Sequence, residues 1–169
     1  MFKNLLIVSF LLLLSTVSFA QNKSVYTPLT NDKCQVKVDS KLPIMNGLCP
    51  GVGGYNLAIA DDDARMSVSV VAPDKTVFDL DFWGHLRNFS ELGEKAEWRM
   101  KGKNPIALII RYLVHDKGDL KPPTSYLMVA KITKDSACVT NIVKPSKSQN
   151  LLAQQLADSA SNKPCKKTE

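Results

Sequence analysis

The residues able to do chemistry are few and scattered. The four cysteines, Cys34, Cys49, Cys138 and Cys165, show no C-x-x-C spacing and no histidine close by in sequence, so they suit disulfide bonds better than a zinc site. Four cysteines allow three connectivities. Cys34 with Cys49 and Cys138 with Cys165 are the expected pairs, because each closes a local loop between neighbouring predicted elements; Cys34 with Cys138 stays open should their strands be sheet neighbours. His85 and His115 are the two histidines and the candidate general bases, with Ser90, Ser125 and several aspartates as partners on paper. Neither G-x-S-x-G nor H-E-x-x-H accompanies them, and two loop histidines are more simply surface residues.

Arg65, Arg99 and Arg111 are the most informative charges. Arg111 interrupts an apolar run, and a guanidinium buried there must be paired. Glu97, Asp79 or Asp81 is the expected partner. Arg99 falls on the wet face of an alternating strand and is expected to be exposed. The functional alternative has Arg99 and Arg111 lining a pocket for a carboxylate or phosphate. Gly53 and Gly54 belong to the glycine-rich stretch Pro50-Gly51-Val52-Gly53-Gly54, whose backbone N–H groups could face an anion. The stretch lacks the lysine and Ser/Thr of a phosphate loop and precedes a strand, so a tight turn is its expected use. Asp61-Asp62-Asp63 lacks the spacing of a calcium loop and reads as a solvated hairpin turn. Trp83 and His85 lie in the aromatic-rich segment 78–89, which could present a contact surface.

The elements that must hold these residues are mostly strands. Residues 94–101 alternate, with Glu94, Ala96, Trp98 and Met100 on one side and charges on the other. Gly102-Lys103-Asn104-Pro105 supplies turn chemistry, and residues 106–114 are apolar on both faces apart from Arg111 and the Tyr112 hydroxyl, as a central strand would be. Before this hairpin, residues 21–32 read as a polar lead-in and 34–39 as a short strand. A turn is expected at 43–47, and two strands follow around Asp61-Asp62-Asp63. Residues 76–93 form a long connection with a helical turn near 82–89. After a loop at 115–123, strands are expected at 125–132 and 137–143. Ser148 then caps a helix whose Leu152, Ala153, Leu156, Ala157 and Ala160 share a stripe facing the sheet.

The first twenty residues combine Lys3, an apolar run over 5–14 and the small residues Ser18 and Ala20 of a cleavage site, the pattern of a secretory signal peptide. Residues 21–169 are then a single secreted domain, exported to the periplasm or the extracellular medium, where cysteines pair. No other stretch is long enough to span a membrane as a helix. Loss of Lys3 lowers the formal charge of +6 by one. The remaining lysines are dispersed, without the aromatic-interleaved basic motif of a nucleic-acid binder, and favour solubility with a mild attraction to anions.

Cys49-Pro50-Gly51-x-Gly53-Gly54-Tyr55, Asp63-x-Arg65, Leu92-Gly93-x-Lys95-x-Glu97-Trp98-Arg99 and Ala107-Leu108-Ile109-x-Arg111-Tyr112 together resemble a family of small secreted proteobacterial proteins of unassigned function. The resemblance covers most of residues 21–169 and implies a bacterial envelope origin; it supplies no activity, cofactor or catalytic residue.

The expected fold is α+β: one domain with a mainly antiparallel, twisted sheet of about six to eight strands and a C-terminal helix packed on it. An all-β sandwich with a peripheral helix is the alternative. The expected function is that of a non-enzymatic binding or protein-interaction module of the envelope, inhibitor-like in one form. It would be monomeric and cofactor-free, with an envelope protein or a small anionic ligand as partner. The alternative is a small periplasmic hydrolase acting on an anionic substrate, with His85 or His115 as base and Arg99 as electrostatic partner.

Overall fold

In the computed structural model, which describes residues 22–38, 44–115 and 121–168, the strands are β1 (Lys23–Pro28), β2 (Gln35–Val38), β3 (Ile44–Pro50), β4 (Asn56–Asp62), β5 (Met66–Val71), β6 (Val77–Asp79), β7 (Ser90–Lys101), β8 (Asn104–Val114), β9 (Thr124–Ile132) and β10 (Ala137–Val143). A single helical turn, α1 (Phe82–His85), precedes β7, and the helix α2 (Gln149–Asp158) follows β10. The expected leader at 1–20 and most of the loop at 115–123 lie outside the described residues, whereas the turn expected at 43–47 is replaced by strand, because residues 45–47 already pair with both β2 and β4 near the start of β3.

The strands form two five-stranded sheets, where one sheet was expected. Sheet A has the order β1-β7-β8-β9-β10 and sheet B the order β2-β3-β4-β5-β6, with every pairing antiparallel. Leu57, Ile59, Val68 and Val70 of sheet B meet Trp98, Leu108, Ile110, Tyr112 and Met128 of sheet A in one buried cluster. The opposite face of sheet A carries a second cluster, in which Ala107, Ile109, Leu127 and Val129 pack under Ala153 and Ala157 of α2. This arrangement explains the doubly apolar run in β8, since its inner residues face sheet B and its outer ones face a helix. Two facing antiparallel sheets with a helix on the outside correspond to the sandwich form of the expectation.

β7 and β8 are the hairpin expected from residues 94–114, but β7 starts earlier and carries irregular pairing between Leu92 and Ala96. The irregularity resets the alternation, so Glu94 is exposed whereas Ala96 and Trp98 are fully buried. β1, read in sequence as a lead-in, completes the edge of sheet A beside β7. Trp98 anchors it there by donating its indole N–H to Thr27 Oγ1 at 2.8 Å.

The two sheets are also joined by a closed polar circuit. Ser90 Oγ donates to Tyr112 Oη at 2.7 Å, Tyr112 Oη donates to the Met66 carbonyl at 2.9 Å, and the Met66 N–H donates back to Ser90 Oγ at 3.1 Å. All three are buried, so each polar group depends on the next. Burial raises the Tyr112 phenol above its ordinary value, and the Ser90 contact opposes this only in part.

Both expected disulfides are present. Cys34–Cys49 links the residue before β2 to its cross-strand neighbour in β3, with a Cα–Cα distance of 4.2 Å. Closing its 15-residue separation stabilises by about 3 kcal/mol in the chain-entropy picture. Cys138–Cys165 ties the C-terminal tail to β10. Among the described residues no helix is long and apolar enough to cross a membrane.

Candidate functional site

Arg99 and Arg111 exchange the roles expected of them. Arg99 is 5% exposed and forms a two-pronged ion pair with Asp158 at the end of α2, Nε to Oδ1 at 2.7 Å and Nη2 to Oδ2 at 2.8 Å. Its remaining N–H groups reach Ser24 Oγ and the Asn22 carbonyl, and Glu97 lies 3.7 Å away. The Asp158 hydrogen bond raises the Arg99 pKa further, against the cost of burial. The wet face of β7 is wet only until α2 covers its end; Arg99 is therefore structural and exposed in neither the expected sense nor the functional one.

Arg111 is half-buried, and Glu97, Asp79 and Asp81 are not its partners. It follows Ala107 and Ile109 on the outer face of β8 and comes out where α2 begins. There its guanidinium donates to Ser125 Oγ, to Gln149 Oε1 at 3.3 Å and to Asn150 Oδ1 at 3.1 Å, all neutral groups. Among the described residues no carboxylate is within ion-pair distance of it. The orientation of Gln149 is fixed, because its amide donates to the carbonyls of Ser125 and Val143 at 2.7 and 3.0 Å and so turns its oxygen to Arg111. Gly93 makes room for the side chain: a Cβ at that position would stand 2.8 Å from the Cβ of Arg111.

Arg111 opens into a cleft of about 350 Å³ between α2 and the β1–β7 side of sheet A. Ile109 and Leu127 contribute apolar surface, Lys95 a second cation, and Asn150, Gln154 and Tyr26 polar groups. Glu97 is the carboxylate in the lining, and its Oε1 is already occupied by Ser24 Oγ and by Gln154 Nε2 at 2.8 Å. Partial burial and the nearby Glu97 charge raise the Tyr26 phenol, which stays neutral and able to donate. The arrangement can accept a small anion: a forked cation held by neutral acceptors, an exposed ammonium in the same lining and an apolar floor.

The remaining candidates are dispersed. His85 lines a different groove, beside Lys144 and Lys166, and its Nδ1 is buried without a hydrogen-bond partner among the described residues. Burial lowers its pKa, Asp81 opposes that and Lys166 adds to it. His115 Nε2 is 3.0 Å from Glu91 Oε1 at the far end of β8. Ser90 is committed to Tyr112, Ser125 to Arg111 and Arg99 to Asp158, so the base and electrostatic partner of the hydrolase alternative are not brought together.

Trp83 is 38% exposed and forms a small notch with Arg65, Arg87 and Phe89, while Arg65 pairs with Asp63 at 3.1 Å. Gly53 and Gly54 have φ of 60° and 83° and occupy a turn closed by the Tyr55 N–H donating to the Val52 carbonyl at 3.0 Å. That is the turn reading of the glycine stretch. In the acidic run, Asp61 and Asp62 end β4, and the turn itself is Asp63-Ala64 with φ of 55° and 58°.

Lys95, Gln149, Asn150, Gln154 and Tyr26 were not singled out by sequence. Gln149, Asn150 and Gln154 look like ordinary polar helix residues; only the placement of α2 over β8 brings them to Arg111. The one signal available was Gly93 near a strand, a sign that something large passes close to the backbone. Comparison of the chain with known protein families, with curated proteins and with solved structures finds no match.

Proposed function

We propose that this protein is an exported, non-enzymatic binding module whose ligand is a small carboxylate or phosphate held in the cleft beside α2. The observation that carries this reading is the Arg111 guanidinium, half-buried and bonded to neutral acceptors while its neighbour Arg99 is saturated by carboxylate. An uncompensated cation in such a place costs stability in the empty protein and returns it when an anion binds. Export is supported by the leader pattern in the sequence together with the two disulfides.

Thermal melts of the wild type and Arg111→Met, with and without phosphate, sulfate or citrate, test the reading. The wild type is expected to gain melting temperature with anions. The empty variant should melt at or above the wild-type temperature and show no anion-dependent gain. An anion response that survives in Arg111→Met, or a wild type indifferent to all three, would remove the cleft as a ligand site.

A second reading, recognition of an envelope protein, is supported by the notch where Trp83 and Phe89, 38% and 48% exposed, stand beside Arg65 and Arg87. Exposed aromatics flanked by arginines are the residue types that dominate contact energy in interfaces. A stoichiometric partner captured from envelope extract by the wild type, and lost with Trp83→Ala, would favour this reading.

A further inference from the structure

A second groove lies along the β10 edge of sheet A, where the C-terminal tail runs beside the strand. It has a volume of about 670 Å³, and its walls come from β9, β10, the end of α1 and the C-terminal tail. Lys144, Lys163 and Lys166 line it together with His85, and no aspartate or glutamate does so among the described residues. None of the three lysines is within ion-pair distance of a described carboxylate; Lys163 donates to the neutral Asn141 Oδ1 at 3.3 Å. With no described carboxylate in the lining to offset them, the lysines give the groove a positive potential that favours an anion.

The groove is also held open by covalent and hydrogen-bonded ties. Cys165 is fixed to Cys138, the Lys166 N–H donates to the Val139 carbonyl at 2.7 Å, and Lys131 Nζ donates to the Lys163 carbonyl at 2.8 Å. A tail with two lysines flanking a disulfide is thereby presented in one place, which lowers the ordering cost of binding. Tyr126 and Pro164 add flat apolar surface between the charges. Separate ammonium groups act as point charges and suit several phosphate oxygens better than one planar carboxylate.

We propose that this groove is a binding site for a sugar or similar ring bearing two or more phosphate groups, with Lys144, Lys163 and Lys166 taking the charges and Tyr126 and Pro164 the ring. The site is distinct from the Arg111 cleft and does not rest on it. His85 forms part of the groove wall beside these lysines.

Isothermal titration with fructose 1,6-bisphosphate and with inorganic phosphate as probes decides the matter. The bisphosphate is expected to bind at least tenfold tighter than inorganic phosphate. Lys144→Ala combined with Lys166→Ala should weaken it at least tenfold, while Arg111→Met, which empties the other cleft, should leave it unchanged. A control carrying Lys101→Ala, Lys103→Ala and Lys134→Ala removes dispersed charge outside the groove and should also leave it unchanged. Equal affinity for the two probes, or equal loss in the control and the groove variant, would overturn the proposal by reducing it to general charge attraction. Co-sedimentation with phosphatidylcholine vesicles containing an inositol bisphosphate lipid separates the sources. Binding to vesicles that is lost in the groove variant points to a lipid-linked headgroup, whereas titration without sedimentation points to a free ligand.

Discussion

A guanidinium takes its role from what its neighbours can offer it. Arg99 finds both oxygens of Asp158, a hydroxyl and a carbonyl, and is nearly sealed from water. Arg111, on the adjacent strand, finds two amide oxygens and a hydroxyl. Truncating the first should therefore cost more than truncating the second. Arg99→Met leaves Asp158 without its cation, and because the Asp158 side chain is 32% exposed the loss is expected at about 2–3 kcal/mol, below the figure for a fully buried pair. Urea denaturation of Arg99→Met and of Asp158→Asn measures it, and a change within about 0.5 kcal/mol would mean that solvent already screens the pair. This contrast could not be read from the residue types. Arg99 sits in an alternating strand and Arg111 in an apolar one, a difference that points the opposite way, and the outcome is set by a helix whose Asp158 lies 59 residues beyond Arg99 in sequence.

At the scale of elements, α2 shows why small residues matter. Ala153 and Ala157, together with Ala160 in the turn just past the helix, are buried against sheet A, whereas Leu152 of the same expected stripe is 42% exposed. Alanines let the helix lie close to the sheet, Leu156 packs at the rim of the contact, and Leu151 and Leu152 face outward. Ala153→Leu should force the helix outward and cost about 1–3 kcal/mol, while Leu152→Lys should stay within about 0.5 kcal/mol. Chemical denaturation of the two variants checks the face assignment, and the reverse order of costs would refute it. The helix, the β7–β8 hairpin and the two C-terminal strands were legible because their apolar periodicity is long. β1, β3 and β6 were not: β1 is short and polar at its edge position, Asn46-Gly47 made the start of β3 read as a turn, and β6 has only three residues. The two-sheet arrangement was hidden for the same reason, since β1 and β6 are edges that define where each sheet ends. The candidate cleft was half legible. Arg111 stood out as a charge in an apolar strand, but its neutral partners come from the start of α2 and its fellow cation Lys95 looked like any surface lysine.

At the scale of the whole molecule, sheet B is continuous in sequence, β2 through β6 pairing each with the next, while sheet A begins with β1 and resumes only at β7. Local hairpins close at small entropic cost and distant pairings wait. Pulse-labelled hydrogen exchange during refolding should therefore protect the amides of β3, β4 and β5 before those of β1; simultaneous or reversed protection would argue against it. The grip of Arg99 on both Asn22 and Asp158 adds a second delay, since its two partners stand near opposite ends of the described chain. A polypeptide delivered end-first, whether from a ribosome or through a pore, then travels with β1 as an open edge and a guanidinium awaiting its counter-charge, and the last stretch to arrive is the one that shuts the assembly. A copy cut short before Asp158 would be left as a substrate for quality-control proteases instead of a smaller folded protein.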